Sequence, residues 1–298
     1  MTPLPTLRQL SYLTALARRR SFSAAAEECL VSQSTLSAGI RELERLLGGD
    51  VVDRSSRGFA LTALGEDVLA RAQDLLARAE DLARAADTGG MALTGPVRLG
   101  VIPTIGPFLL PPVLPQVRKD YPGLQLYLRE DLTAGLIGRL FAGELDLILM
   151  AFPYEADGVD HLDLGEDAFV FAATGDHPLH ARAKLGVGDL AGESLLLLED
   201  GHCLRDHALD ACRLADLAAA RPFEATSLLT LAHMAAGDVG ATLLPEMAVR
   251  SGLAASAGLA VKEFTVPAPS RRIGLAWRKG SSRSRDAMAL APYLSRAL

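Results

Sequence analysis

The hydrophobic period of this chain changes once, near Gly95, and that change limits what it can fold into. Before it, apolar residues recur at helical spacing. Leu7, Leu10, Leu13 and Leu16 return every third residue and mark one face of a helix. After it, short apolar runs at Val97–Ile102, Leu124–Leu128 and Leu145–Leu149 read as strands. Between them lie the Phe108–Val117 segment and a helix expected over Thr133–Phe141. A second series follows: strands at Phe169–Ala173, Leu195–Leu198 and Gly240–Leu244, a helix over Leu204–Leu214, and another from Ser227. A returning strand at Arg271–Trp277 and a last helix at Asp286–Arg296 close the chain. Strands alternating with helices predict a mostly parallel α/β sheet, here in two lobes.

Three helices are expected before the change. Arg18, Arg19 and Arg20 end the first with positive charge that suits a helix C-terminus. Ser21 or Ser23 caps the second, whose apolar face carries Phe22, Ala25, Ala26 and Cys29, so Cys29 reads as a small buried hydrophobe. Ser32 caps the third. Its Leu36, Ile40, Leu43 and Leu47 face inward, while Gln33, Ser34, Thr35, Ser37 and Arg41 face outward. After Gly48 and Gly49, Arg54-Ser55-Ser56-Arg57-Gly58-Phe59 reads as a turn between two short strands. Two helices with a tight connection, the second opening on small polar residues, match a helix-turn-helix. The outward set Gln33, Ser34, Thr35 and Ser37 would meet DNA bases in the major groove, and Arg54 and Arg57 would meet phosphates as a wing. Thr62 then caps a long helix to about Ala86, with Val68, Leu69, Ala72, Leu75, Leu76, Ala79, Leu82 and Ala83 on a near-heptad seam that wants a partner helix.

Charge agrees with that division. Residues 1–62 hold eight Arg and no Lys against six acids, a net of +2, while the whole chain is −6, so the remainder is −8. Attraction to phosphate must come from the N-terminal part. No secretory signal is visible, and the longest uncharged run, Leu99–Val117, holds five prolines that no membrane helix of that length tolerates. A cytoplasmic protein is expected. Three cysteines are too few for a disulfide framework.

Two of those cysteines, Cys203 and Cys212, lie nine residues apart. His202 and Arg205 flank the first, and both favour a thiolate, the reactive form. A thiolate oxidises to a sulfenic acid, which a nearby second thiol can capture. Two readings stay open on spacing alone: a redox switch, or two unrelated cysteines in a helix. Zinc ligation by His202, Cys203, His207 and Cys212 is disfavoured, because adjacent ligands without a paired knuckle make a poor tetrahedral site. No Walker or dinucleotide fingerprint occurs.

Phe22-Ser23-Ala24-Ala25-Ala26-Glu27, Val31-Ser32-Gln33-Ser34-Thr35-Leu36-Ser37, Ile40-Arg41-Glu42-Leu43-Glu44, Leu47-Gly48, Arg54 and Leu61-Thr62-Ala63-Leu64-Gly65 closely resemble the N-terminal signature of LysR-type transcriptional regulators. The resemblance implies an N-terminal winged helix-turn-helix, mainly α, over residues 1–62 and a linker and dimerisation helix over 63–90. It implies a two-lobed α/β periplasmic-binding-protein-like effector domain over 91–298, with lobe I at about 91–166 and 268–298 and lobe II at about 167–267.

Further motifs are similar to the peroxide-sensing members of that family: Ile102-Pro103-Thr104-Ile105-Gly106-Pro107, Leu197-Leu198-Glu199-Asp200-Gly201-His202-Cys203-Leu204-Arg205-Asp206, Cys212, Ala225-Thr226-Ser227-Leu228 and Ile273-Gly274-Leu275. By that resemblance Cys203 is the peroxidatic cysteine and Cys212 the resolving one, and their oxidation alters operator binding at antioxidant genes. Thr104 and Thr133 hold the peroxide, with His202 beside the sulfur as a proton donor or only a hydrogen-bond partner. Arg271 supplies positive charge, with Arg272 one residue away as the alternative. His207 stands where an uncharged polar residue is expected, and Ser270 where a second Arg is common. The implied partners are double-stranded DNA, hydrogen peroxide and further copies of the chain as a homodimer or homotetramer, with RNA polymerase as an additional one. No membrane, metal or cofactor is expected, and no enzymatic turnover. The competing reading is a regulator of the same family whose inter-lobe cleft takes a small metabolite and whose cysteines are inert.

Overall fold

The computed structural model describes residues 4–53, 59–87, 91–154, 156–211 and 224–298. The chain divides near Met91 into two compact units. Among the described residues no helix is long and apolar enough to cross a membrane.

The first unit starts with α1 (Leu7–Arg19), where Thr6 and Gln9 form a reciprocal capping box. α2 (Phe22–Glu28) is capped by Ser21, and α3 (Gln33–Leu47) by Ser32, whose hydroxyl accepts from the Thr35 N–H at 3.1 Å. Arg18 and Arg19 both pair with Glu28 and so tie the end of α1 to the end of α2. Gly39 lets α3 lie close on α1, since a Cβ there would sit 2.6 Å from the Tyr12 ring. Leu13, Leu16, Ala25, Leu36, Ile40 and Leu43 are fully buried in the resulting core. Gln33, Ser34 and Thr35 are exposed on α3 and Ser37 is half-buried. Cys29 caps the end of α2 and is only partly covered, because its position ends the buried face that Ala25 and Ala26 begin. That corrects its expected full burial. β1 (Val52–Asp53) and β2 (Ala60–Leu61) pair antiparallel around the expected wing turn, and Arg54 and Arg57 lie outside the described residues.

α4 (Ala63–Asp87) is the long helix. Its apolar stripe does not form one free seam. Val68, Leu69, Ala72 and Leu76 pack on the core of α1–α3, while Leu75 and Leu82 are 50% and 77% exposed. The stripe is wide enough to serve two surfaces, and the inner half belongs to this unit's own core.

The second unit runs through β3 (Gly95–Val101), α5 (Gly106–Asp120), β4 (Leu124–Glu130), α6 (Thr133–Phe141), β5 (Leu147–Phe152) and the long β6 (Val159–Ala173). It continues through β7 (Leu195–Leu198), α7 (Cys203–Ala211), β8 (Glu224–Ala225), α8 (Leu228–Ala236), β9 (Ala241–Pro245), α9 (Glu246–Arg250), α10 (Leu253–Ala257) and β10 (Ala260–Glu263). It closes with β11 (Ser270–Arg278) and α11 (Ser284–Ala297). The Pro-rich segment is helical in α5, with Pro111, Pro112 and Pro115 inside it. Each proline removes a donor, so burial of Leu109, Leu110, Val113 and Val117 must hold this helix in place.

Strand order is β4-β3-β5-β11-β6-β9-β7-β8, with β10 also on β6. The outer pairs β4–β3, β3–β5, β9–β7 and β7–β8 are parallel. The middle pairs β5–β11, β11–β6 and β6–β9 are antiparallel, which corrects the mostly parallel sheet expected. The cause is topological. β6 carries the chain from one lobe to the other and β11 brings it back, so two strands crossing the same boundary must run opposite ways. Each lobe has its own core: Leu99, Ile105, Leu149, Ile273 and Leu290 in the first, Phe169, Phe171, Leu196, Leu244 and Ala232 in the second.

Candidate functional site

Three strand-to-helix connections and the returning strand bring the site together. Thr104 lies between β3 and α5, Thr133 opens α6, and Gly201, His202 and Cys203 join β7 to α7. Gly201 has φ +95°, a left-handed turn that sends the chain from the strand into α7. Cys203 is therefore the first residue of the helix, not the residue before it as expected. It packs against the first lobe's core, while Leu204, the next residue, belongs to the second lobe's core. The sulfur thus sits where the lobes meet.

Thr104, Thr133, His202 and Cys203 line one pocket with Ile102, Pro103, Leu132, Gly201 and Leu204. The space open to the centre of a water-sized molecule is about 10 Å³. That holds one molecule about as small as water, far below the several hundred Å³ of a pocket for an organic metabolite. Thr104 and Thr133 are each 3% exposed, and neither caps a helix. The Thr133 hydroxyl favours the Cys203 thiolate but makes no fully directed hydrogen bond, so it is a buried donor still unspent.

Arg271 is the buried cation and Arg272 is not: Arg271 is 2% exposed, while Arg272 points outward to Asp163 and Glu166. Its Nη1 donates to Thr104 Oγ1 and its Nη2 to the Thr104 carbonyl, both at 2.9 Å. A hydroxyl that accepts from Arg271 keeps its own proton for another acceptor, and Thr104 faces the pocket. Arg271 Nε donates to Asp167 Oδ2 at 3.0 Å, and Nη2 lies 2.9 Å from the same oxygen. The sequence reading missed Asp167. The available signal was an acid just before the apolar run of β6, facing Arg271 in register across the strand pair.

The flanking basic residues do not activate the thiol as expected. Arg205 is engaged by Asp200 and by Asp206 at 3.5 Å. Burial pushes the His202 imidazole down, so it is neutral. Burial likewise pushes the Cys203 thiol up, with Asp206 adding to it, and the Thr133 hydroxyl and Arg271 only partly oppose this. His207 is held neutral too, by burial and the Arg271 charge, and its Nε2 lies 3.2 Å from the Pro153 carbonyl oxygen. A thiol whose pKa is raised is mostly protonated at neutral pH. Its alkylation by iodoacetamide should therefore rise about tenfold per pH unit from pH 7 to 8.5. A plateau already at pH 7, read from the Cys203 peptide by mass spectrometry, would show that burial does not dominate. Cys212 lies outside the described residues. No group of three or more metal-ligating side chains occurs among the described residues.

The whole arrangement, a three-helix DNA-binding fold followed by a two-lobed α/β unit with a small pocket at the lobe seam, matches one family over nearly the full chain. Residues 7–66 match the bacterial regulatory helix-turn-helix protein, lysR family, and residues 92–298 match the LysR substrate binding domain. The chain belongs to the LysR family of bacterial transcription regulators. Within it, the chain is similar to OxyR. A full-length OxyR variant from Pseudomonas aeruginosa superposes with a TM-score of 0.80 at 36% identity, covering 98% of this chain and 95% of that one. The probable hydrogen peroxide-inducible genes activator of Streptomyces viridosporus is 41% identical over 295 residues, 99% of this chain and 95% of its own. The HTH-type transcriptional regulator EstR of Acinetobacter baylyi is 41% identical over 282 residues, 94% of this chain and 93% of its own.

Proposed function

We propose that this regulator senses hydrogen peroxide at Cys203 and converts its oxidation into altered operator binding. One observation carries the reading. Among the described residues Cys203 is the one cysteine lining the pocket, and two threonines and a histidine line it too, in a space that takes a single small molecule. The similarity to a protein named as a hydrogen peroxide-inducible activator supports it. In the reaction, Cys203 loses its proton, and the sulfur attacks one peroxide oxygen. An S–O bond forms, the O–O bond breaks, and its electron pair leaves on hydroxide, which ends as water by taking up one proton, so that the proton lost by Cys203 is balanced. The Thr104 proton and the Thr133 hydroxyl would hold the two oxygens, and Arg271 would offset the developing negative charge through Thr104, a reading supported by the Arg271–Thr104 hydrogen bond and the unpartnered Thr133 hydroxyl. The product is a sulfenic acid. Attack by the Cys212 thiol would form the S–S bond and release water.

Size tests this reading. Hydrogen peroxide should oxidise Cys203 at least about 100-fold faster than cumene hydroperoxide, because a small enclosed pocket excludes a bulky oxidant. Equal rates by stopped-flow would mean that the chemistry occurs outside the pocket.

On the DNA side, α3 presents Gln33, Ser34, Thr35 and Ser37 to the bases, with Arg54 and Arg57 on phosphates. The linker and dimerisation role belongs to the outer face of α4, where Leu75 and Leu82 are exposed. Leu75→Asp with Leu82→Asp should weaken self-association by roughly 100-fold or more, since carboxylates would be buried against an apolar partner. Unchanged oligomers in sedimentation would move the contact elsewhere. The antiparallel β6–β11 pair that joins the two lobes supports reading them as a periplasmic-binding-protein-like plan.

A further inference from the structure

Asp167 shares Arg271 with the pocket. Its side chain is completely buried, and it lies where β6 stops pairing with β11 and starts pairing with β9. Its Oδ2 faces both Nε and Nη2 of Arg271, and its Oδ1 accepts from the Met247 N–H at 3.0 Å. The carboxylate is thus anchored to backbone on one side and holds the guanidinium edge-on with the other. The remaining edge of the same guanidinium grips Thr104 through both its hydroxyl and its carbonyl. A planar guanidinium held at two donors cannot swing, so where Asp167 is fixed, Arg271 is fixed, and with it the direction of the Thr104 proton. The Arg271 charge reaches Cys203, and the Asp167 carboxylate paired with that guanidinium carries the opposite charge.

The geometry points to Asp167 as a positioning residue of the peroxide site: it aims the Thr104 hydroxyl by clamping Arg271, and it tempers the positive charge felt by Cys203. This rests on the peroxide reading. Two effects follow with opposite signs. Removing the charge at position 167 leaves Arg271 uncompensated, which favours the thiolate. Removing the clamp frees Arg271 and Thr104, which costs the reaction with peroxide but not a reaction that needs only thiolate.

The test is Asp167→Asn in the full-length chain, followed at the Cys203 peptide by mass spectrometry with two reagents. Iodoacetamide reports thiolate alone, and hydrogen peroxide reports thiolate plus an aimed site. The expected result is an alkylation midpoint lowered by roughly half a pH unit or more, together with a peroxide rate slower by on the order of 10- to 100-fold. A merely structural role would move both rates the same way. Should Asp167→Asn lose cooperative unfolding, Asp167→Glu decides: it keeps the charge and lengthens the arm. Its alkylation midpoint should match the wild type while its peroxide rate falls. Wild-type peroxide rates in these variants, or both rates falling together in a folded Asp167→Asn protein, overturn the inference. A wild-type Cys203 that peroxide leaves untouched overturns the peroxide reading itself, and this inference with it.

Discussion

Cys203→Ser is expected to abolish the response to hydrogen peroxide while leaving operator affinity within about twofold of the reduced wild type. A serine hydroxyl fits the space of the thiol but is no nucleophile toward peroxide at neutral pH. The variant should therefore show no oxidation at position 203 at peroxide concentrations that saturate the wild type. Its helix-turn-helix unit is untouched, because α1–α3 have their own core in a separate compact unit. The matched control is Cys29→Ser. Cys29 is only partly covered, and burial with the neighbouring Glu28 carboxylate pushes its thiol up. That environment is unreactive, so the control should sense peroxide normally. A Cys203→Ser protein whose footprint still shifts with peroxide would sink the assignment.

The second large effect concerns α7. In this structure Cys203 is a free thiol, and the helix runs unbroken from it to Ala211. Eight residues at about 1.5 Å each put Ala211 roughly 12 Å from Cys203 along the axis. The next Cα is about 3.8 Å further along the chain, so an intact helix keeps position 212 at least roughly 8 Å from Cys203. A disulfide tolerates Cα atoms only to about 7 Å. Bonding Cys203 to Cys212 therefore requires α7 to unwind. What unwinds is well packed: Leu204, Ala208 and Leu209 are buried, and His207 reaches the Pro153 carbonyl in the first lobe. Losing those contacts at the lobe seam is a change that the rest of the effector unit can feel. Amides of His207 to Ala211 should exchange at least about 100-fold faster in the disulfide form than in the reduced form. Equal protection in both forms would exclude this helix as the switch and favour a lasting sulfenic acid, or a disulfide to another thiol.

The elements with a clean period were legible in the sequence. The Leu7–Leu16 stripe, the Ser32 cap and the strand before Thr104 all stand where their patterns placed them. Residues at strand-to-helix turns were legible too, since such turns in an α/β sheet converge at one edge. Thr104, Thr133, His202 and Cys203 meet there. Properties that depend on partners distant in sequence were not legible. Asp167 and Arg271 are 104 residues apart and meet only because β6 and β11 pair. Sheet direction was misread because a strand's pattern does not record that it crosses between lobes. The thiol's protonation was misread for a related reason. Neighbours in sequence suggested activation, whereas burial at the lobe seam outweighs them. The prolines of α5 show the same override, as an apolar face bound to a core keeps a helix that local propensity alone would break.

The most direct measurement of the central claim is mass spectrometry of the full-length protein after substoichiometric hydrogen peroxide, with operator binding read on the same sample. The account predicts that oxidation appears first at the Cys203 peptide, leaves Cys29 reduced, and tracks the change in footprint mole for mole. A footprint that changes while Cys203 remains a thiol, or a fully oxidised Cys203 with an unchanged footprint, would contradict it.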